Sequence, residues 1–280
     1  MKSDFFVVWV DDNRPFVESI EMELRPWLDT KGFESKVLMH KDETDVLKDI
    51  HSTEVELIII DYKLPKKNGD VLIDEIRQDG CYQDIVFYSE GRLPEKRFDG
   101  VFYVSKEDAK TRIKELIELK LRRSSDLVSV RGWIVADAIE LEGMVTDLLA
   151  NCFTQKVGLT FSERLLGHNG PLEFGAKHKI LAGVLKDLIE SLKIQGLPSE
   201  QTLKQISDCK VVFDKFGKEV LEVRNAFAHQ KIEELKIGKV IKKKTSDADE
   251  IILNEATFIQ MRKNLRKHRD NLIALQAFIQ

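Results

Sequence analysis

The chain has 280 residues, with 42% hydrophobic and 33% charged residues and a net charge of -4. That is the length of about two domains, with apolar material for packed cores and without the general positive charge of a nucleic-acid binder. Three cysteines, Cys81, Cys152 and Cys209, lie far apart. They exclude a self-contained disulfide framework and a Cys-rich zinc site, and they suit a reducing cytoplasm. No apolar run approaches the roughly 18 residues of a membrane span. The N-terminus carries Asp4, Asp11 and Asp12 with no small-residue cleavage site, unlike a signal peptide. The expected location is cytoplasmic, with no membrane partner.

The charge is unevenly placed. Residues 1–125 hold 21 Lys/Arg against 27 Asp/Glu, a sum of -6, and residues 126–280 hold 23 against 21, a sum of +2. Such a split points to two domains with different partners.

The first half alternates strand and helix signals. The continuous apolar run FFVVWV (5–10) fits a parallel strand covered on both faces. Residues 14–28 have helical spacing at Phe16, Ile20 and Leu24, with Pro15 in the first turn. SKVLMH (35–40) predicts a strand, and Asp42 is a candidate cap for a helix to about His51. ELIIID (56–61) predicts a second buried strand, and Asn68-Gly69 a turn before a helix over 70–78. DIVFYS (84–89) and GVFYVS (100–105) predict two more strands, and 107–123 an amphipathic helix with Ile113, Leu116, Ile117 and Leu121 at core spacing. Five strands alternating with helices predict a doubly wound α/β domain with a parallel, flavodoxin-like sheet over residues 1–123.

From residue 124 to 280 the pattern is helical. Residues 127–152 predict one long helix with Leu127, Ile134, Ala138, Leu141, Val145 and Leu148 on one face. After a loop around Gly167–Gly170, helices are expected over 175–194, 200–209 and 211–230. Residues 238–244 and 250–253 predict a short β-hairpin across 245–249, and Asn254 caps a last helix.

In open α/β sheets the site is built at the carboxyl ends of the strands. Asp11 and Asp12 close the first strand, Asp61 the third and Ser89 the fourth, while Lys106 follows the fifth. Three converging carboxylates repel one another and demand a cation, and hard oxygen ligands without Cys or His select Mg²⁺. Beside a hydroxyl and an ammonium, such a centre can hold a phosphoryl group.

On VVWVDDN, IIIDYKLPKKNGD, VFYSE and YVSK, each at a strand end, residues 1–123 resemble a receiver domain of two-component response regulators. The resemblance implies Asp61 as phospho-acceptor, Asp12 as direct Mg²⁺ ligand, Asp11 as ligand through water and the Lys63 carbonyl as a further ligand. It implies Ser89, Lys106 and Tyr103 in phosphoryl binding and switching, and a sensor histidine kinase or phosphotransfer protein as partner in a phosphorelay. Three departures stand out: Glu90 replaces a small residue, Glu107 replaces the proline after the lysine, and GRLPEKRFD is too short and polar for a normal fourth helix.

In the second half, the pairing of Gly170-Pro171-Leu172-x-Phe174-x-x-Lys177 with Arg224-Asn225-x-Phe227-Ala228-His229 resembles the mannitol-operon repressor family, a branch of the HEPN superfamily. The Arg-x4-His spacing, with Asn after Arg, also resembles the motif of HEPN ribonucleases. Residues 126–280 are then an all-α HEPN-like bundle that the resemblance implies to be a homodimer. The chemistry is coherent. His229 is a general acid/base near neutral pH, Arg224 can hold a phosphodiester, and RNA supplies its own 2′-hydroxyl, so no metal is needed. On an ideal helix Asn225 and His229 share a side, whereas Arg224 and His229 are about 140° apart. A two-fold dimer would bring two motifs together. The alternative is an Asn/His clasp inside the bundle or at a dimer seam.

Lys242-Lys243-Lys244 and a last helix bearing Arg262, Lys263, Arg266, Lys267, His268 and Arg269, with Arg262, Arg266 and Arg269 on one face, leave RNA open as a partner, although charge runs also occur on plain solvated surfaces. No helix-turn-helix with a basic recognition helix is visible, so direct DNA binding is not expected. The expected protein is a response regulator whose receiver controls a dimeric HEPN-like output, with metal-independent RNA cleavage through Arg224 and His229 as a candidate activity. The alternatives are a non-catalytic module binding a protein partner in transcriptional control, and a phosphate sink.

Overall fold

A computed structural model describes residues 3–91, 97–123, 125–157, 172–195, 199–235, 238–242 and 250–279. The chain divides into two compact units, Lys2–Asp126 and Leu127–Gln280.

The first unit runs β1 (Asp4–Val10), α1 (Arg14–Thr30), β2 (Glu34–His40), α2 (Val46–Ser52), β3 (Val55–Asp61), α3 (Gly69–Gln78), β4 (Ile85–Ser89), β5 (Val101–Ser105) and α4 (Ala109–Arg123). The five strands form one parallel sheet in the order β2-β1-β3-β4-β5. Strand position explains burial. The interior strands β1, β3 and β4 are almost wholly buried, while the edges β2 and β5 are half-buried. Strand alternation sends Val7, Trp9, Ile59, Val86 and Tyr88 to one face, against Val17, Ile20 and Leu24 of α1 and Ile113 and Ile117 of α4. Val8, Val10, Ile58, Ile60 and Phe87 face the other side, against α2 and Leu72, Ile73 and Ile76 of α3.

One local expectation changes. Asp42 does not cap α2: the residue before that helix is Asp45, at φ 63. The Asp42 carboxylate instead accepts from the Thr44 N–H at 2.9 Å, shaping a turn that delays the helix. At Asn68-Gly69, Asn68 is extended and Gly69 begins α3 directly. A Cβ there would lie 2.8 Å from both Ile60 Cγ2 and Phe87 Cε2, and closer still to the Asp61 carbonyl oxygen. Glycine lets α3 approach the end of β3. Between β4 and β5 no helix occurs among the described residues, and residues 92–96 of GRLPEKRFD lie outside them. The Arg77 guanidinium bridges part of this region, donating to the carbonyls of Cys81 (2.8 Å), Gln83 (3.0 Å) and Asp99 (3.1 Å).

The second unit contains α5 (Leu127–Val157), α6 (Phe174–Gln195), α7 (Glu200–Phe213), a π-helical turn (Gly217–Leu221), α8 (Glu222–His229), β6 (Ile232–Leu235), β7 (Gly238–Lys242), β8 (Glu250–Ile252) and α9 (Glu255–Gln276). The α5 stripe Ile134, Ala138, Leu141, Val145 and Leu148 is buried, at the spacing that predicts a core face, and Leu127 is partly buried. The expected helix over 211–230 is interrupted at 214–216. There Phe213 and Phe216 both turn into the core, and the His178 ring stacks on Phe216 at 5.5 Å. The expected hairpin is a three-stranded antiparallel sheet, β6-β7-β8, because Ile232 pairs with Ile241 on the side of β7 away from β8. Lys243, Lys244, the turn over 245–249 and the loop around 167–170 lie outside the described residues.

The basic face of the last helix is also revised. Arg262 is only 3% exposed, with its guanidinium 4.8 Å from the Trp133 ring centroid, and His268 is fully buried. His268 Nε2 meets Glu219 at 2.8 Å, and Glu219 also holds Lys267. A helix with apolar partners on several sides turns even its basic residues inward, so these positions do not form a continuous phosphate-tracking stripe.

Two predictions follow from this packing. Gly69→Ala should lower the unfolding free energy by about 1–3 kcal/mol, since backbone and a ring must shift to admit one methyl; urea denaturation of the full chain measures it. Burial lowers the His268 pKa from 6.5 to about 4. Between those values the unfolded chain binds a proton that the folded unit refuses. Stability should therefore be lost as pH falls through that window and regained as it rises. His268→Gln should flatten the dependence in thermal melts.

Candidate functional site

The order β2-β1-β3 places the reversal of winding between β1 and β3, and their carboxyl ends form a crevice there. The sequence-predicted residues Asp12, Asp61, Lys63, Ser89 and Lys106 line one cavity of about 740 Å³, together with Asn13 and Glu90. Asp11 lies beneath it at 0% exposure, and Asp61 is 5% exposed. Asp11, Asp12 and Asp61 each offer an oxygen within 4.8 Å of the others. This oxygen-only donor set fits a hard divalent cation of the Mg²⁺ class.

The charges explain one another. Burial, and then the Asp11 carboxylate, raise the Asp61 pKa to about 6, against the pull of Lys106 and a hydrogen bond from the Lys63 main chain. Lys106 Nζ lies 3.4 Å from Asp61, 3.8 Å from Asp11 and 3.5 Å from Glu90. Burial opposes the Lys106 charge, but Asp11, Asp61 and Glu90 outweigh it and hold its pKa above the usual lysine value. The ammonium also lies 4.8 Å from the Phe16 ring centroid. Glu90 is solvent-facing, its side chain 78% exposed, so its carboxylate reaches the cavity mouth from outside.

Ser89 is buried, and its hydroxyl accepts from the Gly91 N–H at 3.1 Å. Tyr103 does not line the cavity. Its hydroxyl accepts from the Phe98 N–H at 2.8 Å, and its ring meets Phe87 edge-on at 5.8 Å. Sequence reasoning missed Tyr88, whose hydroxyl donates to Asp11 Oδ2 while accepting from Trp9 Nε1 at 2.9 Å. In a run of strand hydrophobics it read as core packing, and nothing in the spacing marks the hydroxyl.

In the second unit, Arg224, Asn225 and His229 line one cavity of about 900 Å³. Their 140° separation on an ideal helix does not keep Arg224 and His229 out of a shared cavity. Arg224 Nη1 donates to Asn225 Oδ1 at 3.0 Å. The same cavity is bordered by Glu142, Glu173 and Glu222, which the motif did not reveal. Glu142 is paired with the buried Lys177 at 3.2 Å. Nearby, the Arg131 guanidinium donates to the Gln230 carbonyl, tying α5 to the chain just after α8.

No family model matches the chain. The transcriptional regulatory protein RprY of Bacteroides fragilis (strain YCH46) is 29% identical over 115 residues, 41% of this chain and 48% of that protein. The chain thus spans about half the length of the curated relative it matches. Among solved structures, the receiver domain of the hybrid histidine kinase CckA is 19% identical, covering 41% of this chain and 98% of that one, with a TM-score of 0.34. A CheY-like receiver domain protein from Methanospirillum hungatei JF-1 is 18% identical, covering 42% and 94%, with a TM-score of 0.35. No helix among the described residues is long and apolar enough to cross a membrane. The N-terminal two-fifths of the chain, which carries the RprY likeness, folds as a five-stranded parallel doubly wound sheet and is similar to receiver (CheY-like) domains.

Proposed function

We propose that the chain is a two-component response regulator whose receiver accepts a phosphoryl group on Asp61 from a histidine kinase or phosphotransfer protein. The observation that carries this reading is the convergence of Asp12, Asp61, Ser89 and Lys106 on one cavity above the buried Asp11. An Asp61 oxygen bonds to phosphorus as the phosphorus–nitrogen bond of the donor breaks, and the histidine leaves protonated. Lys106, 3.4 Å from Asp61, pairs with the arriving negative charge. The Ser89 hydroxyl turns from Gly91 to donate to a phosphoryl oxygen. Tyr103, released from Phe98, follows it inward as the moving part of the switch. Asp11, Asp12, Asp61 and the Lys63 carbonyl would hold Mg²⁺, which supplies a Lewis-acidic centre neutralising the phosphoryl oxygens.

The second unit is the output, a HEPN-like helical domain acting as a homodimer. Arg224 and His229, bordering one cavity, support metal-independent RNA cleavage. The 2′-oxygen attacks the adjacent phosphorus and loses its proton, and the 5′-oxygen leaves and gains one. His229 carries a proton in this exchange, while Arg224 stabilises the charge on phosphorus. A second reading is a non-catalytic module that binds a partner protein. It is favoured by Glu142, Glu173 and Glu222, whose carboxylates repel a phosphodiester in the same cavity.

Acetyl phosphate or a cognate kinase with Mg²⁺ should label wild type and not Asp61→Ala; persistent labelling of that variant sinks the acceptor assignment. On the ribonuclease reading, the protein cleaves RNA in EDTA, and His229→Ala slows this by about 100-fold or more while dimerisation persists. RNA left intact by both phosphorylated and unphosphorylated protein selects the binding module.

A further inference from the structure

Beneath the acidic cavity, three side chains form a hydrogen-bonded chain. Trp9 Nε1 donates to the Tyr88 hydroxyl at 2.9 Å, and that hydroxyl donates to Asp11 Oδ2. All three residues are fully buried. Trp9 lies on β1 and Tyr88 on β4, with β3 between them, about 10 Å of sheet. Their two large side chains, in the same buried cluster as Ile59, span that gap. The other oxygen, Asp11 Oδ1, accepts from the Asn13 N–H at 2.7 Å. Asp11 is thus held at both oxygens, by the segment after β1 and by β4.

This restraint has a chemical consequence. A carboxylate held at both oxygens can turn one lone pair toward a cation or its water. It cannot swing both oxygens onto one ion without breaking a hydrogen bond in a buried setting, where an unmade bond is costly. Mg²⁺ takes carboxylates one oxygen at a time, in near-octahedral geometry. Ca²⁺ is larger, takes six to eight oxygens and readily binds a carboxylate through both. Resting on the reading of Asp11, Asp12 and Asp61 as a cation site, we infer that Tyr88 is a positioning residue for metal selectivity: it pins Asp11 in a one-oxygen mode that admits Mg²⁺ and disfavours Ca²⁺. Trp9 orients the hydroxyl by donating to its oxygen, leaving its proton for Asp11.

Tyr88→Phe in the full-length protein removes the hydroxyl and keeps the ring. Calorimetric titration with MgCl₂ and with CaCl₂ reads both affinities. Expected are a loss of Mg²⁺ affinity of about 10-fold, typical when a ligand loses its supporting hydrogen bond, and a clearly smaller loss for Ca²⁺. Equal losses for both ions, or none, overturn the inference. Wild type that binds neither ion overturns the cation-site reading along with it. Wild-type Mg²⁺ binding that Tyr88→Phe leaves unchanged overturns this inference alone. A second measurement needs no folded Tyr88 variant. In protein labelled with ¹⁵N-tryptophan, the Trp9 indole N–H signal, assigned with Trp27→Phe and Trp133→Phe, should shift more on adding Mg²⁺ than Ca²⁺. A signal indifferent to Mg²⁺ overturns the inference.

Discussion

Two carboxylates folded into one crevice, Asp11 wholly buried and Asp61 nearly so, are the constraint around which the first unit is arranged. Their mutual repulsion and burial push Asp61 toward its neutral form. Each neighbour answers that cost: Lys106 supplies a charge, the Lys63 main chain a hydrogen bond, and Tyr88 and Asn13 hold the oxygens of Asp11. The oxygens of Asp11, Asp12 and Asp61, all within 4.8 Å of one another, fit a hard divalent cation whose charge would offset this repulsion. Buried like charges of this kind mark sites of chemistry more often than sites of stability.

The sheet makes the crowding possible. Parallel strands end together, and the order β2-β1-β3 parts the helices there, so the acids of β1 and β3 converge without contact between distant loops. Gly69 lets α3 start hard against the end of β3, and so sets how closely that helix approaches Asp61. The helical unit uses charge differently. Arg262, Lys177 and His268 are buried against Trp133, Glu142 and Glu219, where they fix helix packing.

Much of the first unit was legible because its signals are local. Continuous apolar runs such as ELIIID and an acid or hydroxyl at each strand end place the cavity residues without any knowledge of packing. What was not legible depended on partners distant in sequence. The tyrosine of VFYSE gains its role from Trp9, 79 residues away. Asp42 had the chemistry of a cap, but a local turn claimed its carboxylate. Arg262, Arg266 and Arg269 read as a surface stripe because periodicity shows which residues share a face and not which face meets the core. The glutamates of the second cavity come from α5, α8 and the start of α6, and no linear motif could assemble them.

The π-helical turn at Gly217–Leu221 affects how the stretch that follows it should be drawn. A π turn takes about one residue more than an α turn, so everything after it is set back by about 100° relative to an uninterrupted helix. A helical wheel projected from residue 211 onward crosses both the break at 214–216 and this turn, and so misplaces Arg224 and His229. The orientation of the Arg-Asn-x-Phe-Ala-His segment depends on that break and on this turn, which Glu219 clamps to α9 through Lys267 and His268. Between related chains, gain or loss of one residue in this turn would rotate the whole segment while leaving every letter of its motif intact.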